Sequence, residues 1–173
     1  MEENGSLRPI VAFVGPSGVG KTTLLEGVIG ELVGRGWKVA TIKHNRHGFQ
    51  IDHEGKDSWR HKRAGARVTV LASPRQTAVV EDTEEDPSID ELCRRFIRGC
   101  DVVLVEGYKD NPYPKVEVYR RSVGERPLSS REDNLIALAG DEFFDLGVPF
   151  LDVNDARSVA DFIEERYLRE RRR

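Results

Sequence analysis

Gly15-Pro16-Ser17-Gly18-Val19-Gly20-Lys21-Thr22 is the stretch of this chain whose residue types and spacing most clearly suit chemistry. It fits G-x-x-x-x-G-K-[ST], the P-loop pattern, in which backbone amides cradle phosphate. Three glycines let successive N–H groups point inward, and the helix that follows adds its positive dipole end. The candidate nucleotide contacts are therefore Gly15, Ser17, Gly18, Val19 and Gly20 through the loop and Thr23 just beyond it. Lys21 is placed to reach the β/γ-phosphates as a point charge, and Thr22 to set a hydroxyl on Mg²⁺.

A phosphate site of this kind needs an acid at the end of a later apolar strand to serve the metal. Glu106 closes the run Val102-Val103-Leu104-Val105 and has that position. Asp101 stands at the other end of the same run, about 15 Å away at the rise of a strand, and reads as a turn residue. Asp52, in the loop after the second strand, is a further candidate for the metal or a catalytic water. Lys21, Asp52 and Glu106 form the candidate catalytic set, and Thr22, Glu106 and Asp52 the candidate metal set.

All four histidines, His44, His47, His53 and His61, fall between Lys43 and Arg67. The same window holds seven basic residues (Lys43, Arg46, Lys56, Arg60, Lys62, Arg63, Arg67) against three acids (Asp52, Glu54, Asp57). No histidine pair has i, i+4 spacing on a clear helix and no cysteine is near, so a polyanion pocket fits better than a transition-metal site. Lys43, His44 and His47 are the residues of this window expected to reach bound phosphate.

The elements that must position these groups follow from periodicity. Ile10–Val14 reads as a strand, and Leu24, Leu25, Val28, Ile29, Leu32 and Val33 recur at helical spacing until Gly34 and Gly36. Lys38–Lys43 reads as a second strand, which makes a βαβ unit and implies a parallel sheet. Ligands then belong at the strands' C-terminal ends, where Lys43 and the loop His44-Asn45-Arg46-His47 emerge.

Asp57 or Ser58 can cap a short helix through Arg63. Val68–Ala72 and Thr77–Val80 read as a hairpin around Ser73-Pro74-Arg75-Gln76, and Ser88 with Glu91 has capping-box spacing for a helix. Glu81 to Asp86 is almost wholly acidic and reads as a solvated end or linker. Lys115–Tyr119 alternates like a half-exposed strand, while Leu135–Ala139 and Pro149–Val153 read as the last two strands. Asn154 or Asp155 can cap the closing helix, which the arginine run from Arg169 finishes. The expected fold is α/β: a P-loop NTPase-like, mostly parallel sheet flanked by helices, with an added antiparallel hairpin, in one domain with a hairpin insertion near residues 68–86.

At 173 residues such a domain buries about 70% of its unfolded surface without disulfides. Cys93 and Cys100 read as small core hydrophobes in a reducing cytoplasm. A net charge of −3 argues against a general nucleic-acid binder. No apolar run approaches the ~20 residues of a membrane span, and Met1-Glu2-Glu3-Asn4 is no signal-peptide start. The expected setting is the cytosol. No N-K-x-D guanine motif occurs, so the chemistry of the residues leaves the base open; the loops at Gly140-Asp141 and Asp152–Asp155 are where a carboxylate could meet a purine edge.

Together with the P-loop, Thr41-Ile42-Lys43-His44, Phe49-Gln50-Ile51-Asp52, Gly55-Lys56-Asp57-Ser58, Arg60, Ala64-Gly65-Ala66 and Val105-Glu106-Gly107 closely resemble the MobB family, the molybdopterin-guanine dinucleotide biosynthesis adaptor proteins. The resemblance runs from Ile10 to Tyr119 and is looser beyond. It implies a dimeric GTP-binding protein with weak Mg²⁺-dependent GTP hydrolysis. Such a protein assists the guanylyltransferase that attaches GMP to molybdopterin, with molybdopterin or its enzyme carriers as further partners. On the same resemblance Lys21 and Thr22 serve the phosphates and magnesium, Glu106 and Asp52 the metal region, and the basic loop from Lys43 to Arg63 a second anionic group such as the pterin phosphate. Two departures stand out: Pro16 where related ATPases carry an extra lysine, and Gly48 where the family has a second histidine. Two other readings share the P-loop start: a small-molecule kinase, with Arg120, Arg121, Arg126 and Arg131 in a lid, and a nickel-type metallochaperone GTPase using the histidines.

Overall fold

The computed structural model describes residues 8–172, so Met1–Asn4 and the final Arg173 lie outside the described residues. The chain divides into two compact units, one comprising the residues up to His44 with those from Ile97 onward, the other Asn45–Phe96.

The first unit is built on six strands: β1 (Ile10–Val14), β2 (Val39–Lys43), β5 (Val102–Glu106), β6 (Lys115–Tyr119), β7 (Leu135–Gly140) and β8 (Phe150–Asp152). They pair in the order β2-β5-β1-β6-β7-β8, every pair parallel. β1 and β5 are buried along their whole length, as continuous apolar runs covered on both faces should be. Helix α1 (Lys21–Gly34) follows the P-loop, and α4 (Ala156–Ile163) closes the chain against the same core through Val159, Ala160 and Ile163. Asp155 caps α4, its Oδ1 accepting from Ser158 N at 3.1 Å. The helix then loosens into a π-type turn at Glu164–Leu168 and a 3₁₀ turn at Arg169–Arg172.

β6 corrects the expectation drawn from its alternation. It is buried at all five positions, with Lys115 only 4% and Glu117 only 1% exposed. The charges are tolerated because backbone groups satisfy them. Lys115 Nζ donates to Asn111 O at 2.5 Å and Asp133 O at 2.6 Å, while the Glu117 carboxylate accepts from Leu128 N and Ser129 N, both at 2.7 Å. Burial is the main cause pushing the Lys115 ammonium below its ordinary range.

The second unit holds α2 (Asp57–Arg63), the hairpin of β3 (Val68–Ala72) and β4 (Thr77–Glu81), and α3 (Ile89–Phe96). The strands pair antiparallel, Val68 opposite Glu81 and Ala72 opposite Thr77, around a turn in which Ser73 Oγ accepts from Gln76 N at 3.0 Å. Ser88 Oγ accepts from Glu91 N at 3.2 Å, the expected start of α3. The start of α2 differs from expectation: Lys56 stands at the cap with no side-chain hydrogen bond, and Asp57 is the first helical residue. The acidic stretch is solvated as expected from Asp82 to Asp86, all of them exposed, and is tied down at its start. Glu81 is half-buried at the end of β4 and pairs with Arg95, and Asp82 pairs with Lys62 Nζ at 2.6 Å.

Candidate functional site

The P-loop connects the end of β1 to the start of α1, and the core dictates its shape. Val19 is 1% exposed and anchors the loop in the core, whereas Ser17, Gly18, Thr22 and Thr23 are exposed on the rim. Gly15 has φ +135°, and a Cβ there would lie 2.4 Å from Val118 O, so only glycine lets β1 turn into the loop against β6. Gly20, at φ +95°, is the left-handed residue that caps α1. Having no side chain, it supplies no cap hydrogen bond, which leaves the first amides of a 14-residue helix free to meet a ligand at the cradle.

Lys21 Nζ folds over the loop and donates to Gly15 O at 3.0 Å and Pro16 O at 2.7 Å. Burial pushes its pKa below the usual 10.5, opposed by the nearby Glu106 carboxylate and reinforced by Lys43.

Parallel register brings the other groups to this point. Glu106 stands beside Phe13 of β1, two residues before Gly15, on one side and beside Lys43 of β2 on the other. Its Oε1 accepts from Thr22 Oγ1 at 2.8 Å, and Lys43 Nζ lies 3.3 Å from both of those oxygens. Two hard oxygen donors share one point, and an ammonium already sits beside them. That is the donor chemistry Mg²⁺ takes, so the residues fit the ion. His44 N donates to Glu106 O at 2.9 Å, and the His44 ring stacks on Tyr108 with centroids 4.0 Å apart. Tyr108 has φ +50°, an uncommon conformation for a non-glycine residue, directly after Gly107.

The structure thus brings Lys21, Thr22, Lys43 and Glu106 together, with His44 adjoining through the backbone of Glu106. His47 and Asp52 belong to the second unit. There Asp52 Oδ1 accepts from His53 N at 2.8 Å, and its buried Oδ2 has no protein partner. Asp101 is the turn residue expected, its Oδ2 accepting from Lys38 N at 2.8 Å. The late-strand acids are engaged locally: Asp141 Oδ1 accepts from Arg121 N at 2.9 Å, and Asp152 Oδ1 from Asn154 N at 2.8 Å. Among the described residues no three His, Cys, Asp or Glu side chains gather as a metal-binding group. None of the described helices is long and apolar enough to cross a membrane.

One neighbour of the cradle was not singled out from the sequence as a phosphate contact. Arg120, directly after β6, places Nε 3.5 Å from the position of a Cβ on Gly20. Its signal was its place at the C-terminal end of a strand, which becomes informative only once β6 is known to lie beside β1.

Comparison with known proteins agrees with this architecture. Residues 10–141 match the family model described as MobB, molybdopterin guanine dinucleotide synthesis protein B. The chain is 41% identical over 157 residues to the molybdopterin-guanine dinucleotide biosynthesis adapter protein of Haemophilus influenzae, covering 90% of this chain and 88% of that one. It is 37% identical over 161 residues to the Escherichia coli protein of the same name, covering 91% and 92%. The crystal structure of Bacillus subtilis MobB superposes with a TM-score of 0.70 at 28% identity, covering 91% of this chain and 96% of that one. With the family model spanning most of its length and these relatives aligned nearly end to end, the chain belongs to the MobB family.

Proposed function

We propose that this protein is a GTP-binding adapter in molybdopterin-guanine dinucleotide biosynthesis, assisting the guanylyltransferase that joins GMP to molybdopterin. The adapter role is supported by the family and by the names of the aligned relatives. The nucleotide is supported by one observation above all: Lys21, Thr22, Glu106 and Lys43 converge at the mouth of a glycine cradle that opens a helix.

In this reading the amides from Gly18 to Lys21 hold the phosphates, and Lys21 exchanges its two carbonyl partners for phosphoryl oxygens. Thr22 and Glu106 hold Mg²⁺, which when bound neutralises charge on the β- and γ-phosphates. Lys43 then leaves the Thr22–Glu106 oxygens and turns to the ligand. Molybdopterin or its enzyme carriers supply the further anionic partner. Weak hydrolysis belongs to the same reading, as the family resemblance implies. A cytoplasmic homodimer completes the reading.

Titrating labelled GTP and ATP at several magnesium concentrations tests the nucleotide. Saturable, magnesium-dependent binding that prefers GTP is expected, and indifference to GTP would remove it. Adding the protein to a guanylyltransferase reaction tests the adapter role, through a rise in molybdopterin-guanine dinucleotide formed per enzyme.

A further inference from the structure

Arg120 is a half-buried cation that the reading above leaves unused. It emerges on the rim where all six parallel strands end, beside Gly20. Its Nη2 donates to Asn154 Oδ1 at 2.8 Å. Asn154 is itself held by Asp152, whose Oδ1 accepts from the Asn154 backbone N at 2.8 Å and from its Nδ2 at 3.1 Å. The guanidinium is therefore aimed by a neutral amide, and no carboxylate pairs with it among the described residues.

That placement is unfavourable in the protein alone. The N-terminus of α1 carries positive partial charge, Lys21 lies over the same loop, and a guanidinium does not shed its proton. Three positive features around one loop become favourable together only when an anion binds there. The sheet order also divides the cradle into two sides. Glu106 and Lys43 come from β5 and β2 on one side of β1, while Arg120 comes from the end of β6 and Asn154 follows β8 on the other. The first side holds the metal donors and so the outer phosphates; the second faces the phosphate nearer the nucleoside.

We infer that Arg120 is a phosphate-binding residue, its guanidinium aimed by Asn154 at the nucleoside-side phosphates of a bound nucleotide, away from the metal. The inference rests on the nucleotide reading above and adds a side to it. A planar fork of N–H donors can take two oxygens at once, which an ammonium cannot reproduce.

Calorimetric titrations of wild type, Arg120→Ala, Arg120→Lys and Asn154→Ala with GTP, GDP and inorganic pyrophosphate, in Mg²⁺ and in EDTA, test it. Arg120→Ala is expected to weaken GTP and GDP by the same factor, about tenfold or more, in both conditions. Arg120→Lys should recover part of that loss, and Asn154→Ala should cost less, about threefold. The ligand-free thermal midpoint of Arg120→Ala should equal or exceed that of wild type, because an uncompensated cation is removed. Unchanged affinity, or a loss confined to GTP, would overturn the assignment. So would a lowered ligand-free midpoint with no rescue by lysine, since that describes a structural role. If wild type ignored both nucleotides yet bound pyrophosphate through Arg120, the nucleotide reading would fall and Arg120 would stand as a phosphate ligand. If wild type bound none of the three, both would fall.

Discussion

The two units of this chain treat apolar and charged residues in opposite ways. In the sheet unit, Val11, Phe13, Val102, Leu104, Val116 and Val118 have no exposed surface, and even Lys115 and Glu117 are buried with their polar atoms paired. In Asn45–Phe96 only Thr69 and Ile89 are buried, while Val68, Val70, Leu71 and Val79 of the hairpin are all more than 40% exposed. The difference locates rigidity. Close-packed strands fix Glu106 and the P-loop by register, so the donors Thr22, Glu106 and Lys43 meet within hydrogen-bond range. Sites that need such placement belong on a scaffold of this kind.

Substitutions can break or sharpen that contrast. The largest effect is expected at Glu117→Ala, which removes a carboxylate only 1% exposed together with the two charge-assisted hydrogen bonds it accepts from the Leu128 and Ser129 amides, and should cost about 3 kcal/mol in urea unfolding. Next is Gly27→Ala on α1, because the added Cβ would lie 2.6 Å from the Ala156 Cβ of α4; overpacking there should cost about 2 kcal/mol by the same measurement.

A smaller, pH-dependent effect is expected at Glu164. Arg35 donates to its Oε2 at 2.7 Å and Trp37 Nε1 to its Oε1 at 3.0 Å. The Arg35 hydrogen bond is the main cause holding its carboxyl below the usual 4.5, with burial opposing and Trp37 assisting. The unfolded chain therefore takes up this proton first as the pH falls. The stabilisation is full above pH 4.5 and is lost as the pH drops through the lower folded-state value. Glu164→Gln should cost about 1 kcal/mol at neutral pH and flatten the acid limb of stability against pH, read by thermal melts across that range. The smallest effect is expected at Val70→Ala, within about 0.5 kcal/mol, because the side chain is 58% exposed. A cost there matching Glu117→Ala would erase the contrast between the units.

Most of the architecture was legible in the sequence because its signals were local. The apolar run before Gly15, the helical spacing after Lys21 and the turn at Ser73–Gln76 each sit within one element. β6 was misjudged for the complementary reason. Alternation normally marks a solvated face, and the groups that satisfy Lys115 and Glu117 arrive from residues 111, 133, 128 and 129, whose backbone carries no sequence signature. The same holds for the site. Glu106 could be placed by its position at the end of an apolar strand, but the approach of Lys43 to Thr22 and of Arg120 to Gly20 depends on which strands are neighbours. Strand order is a property of the assembled sheet.

The central claim is that the glycine cradle and Lys21 hold a nucleotide's phosphates. Isothermal calorimetry of GTP with Mg²⁺ against wild type and Lys21→Ala tests it most directly. The account predicts saturable binding to wild type, weakened about tenfold or more by the substitution with the fold intact by circular dichroism, the loss of one charge-assisted contact of about 1.4 kcal/mol. Equal affinity in the two proteins, or no binding by wild type, would contradict it.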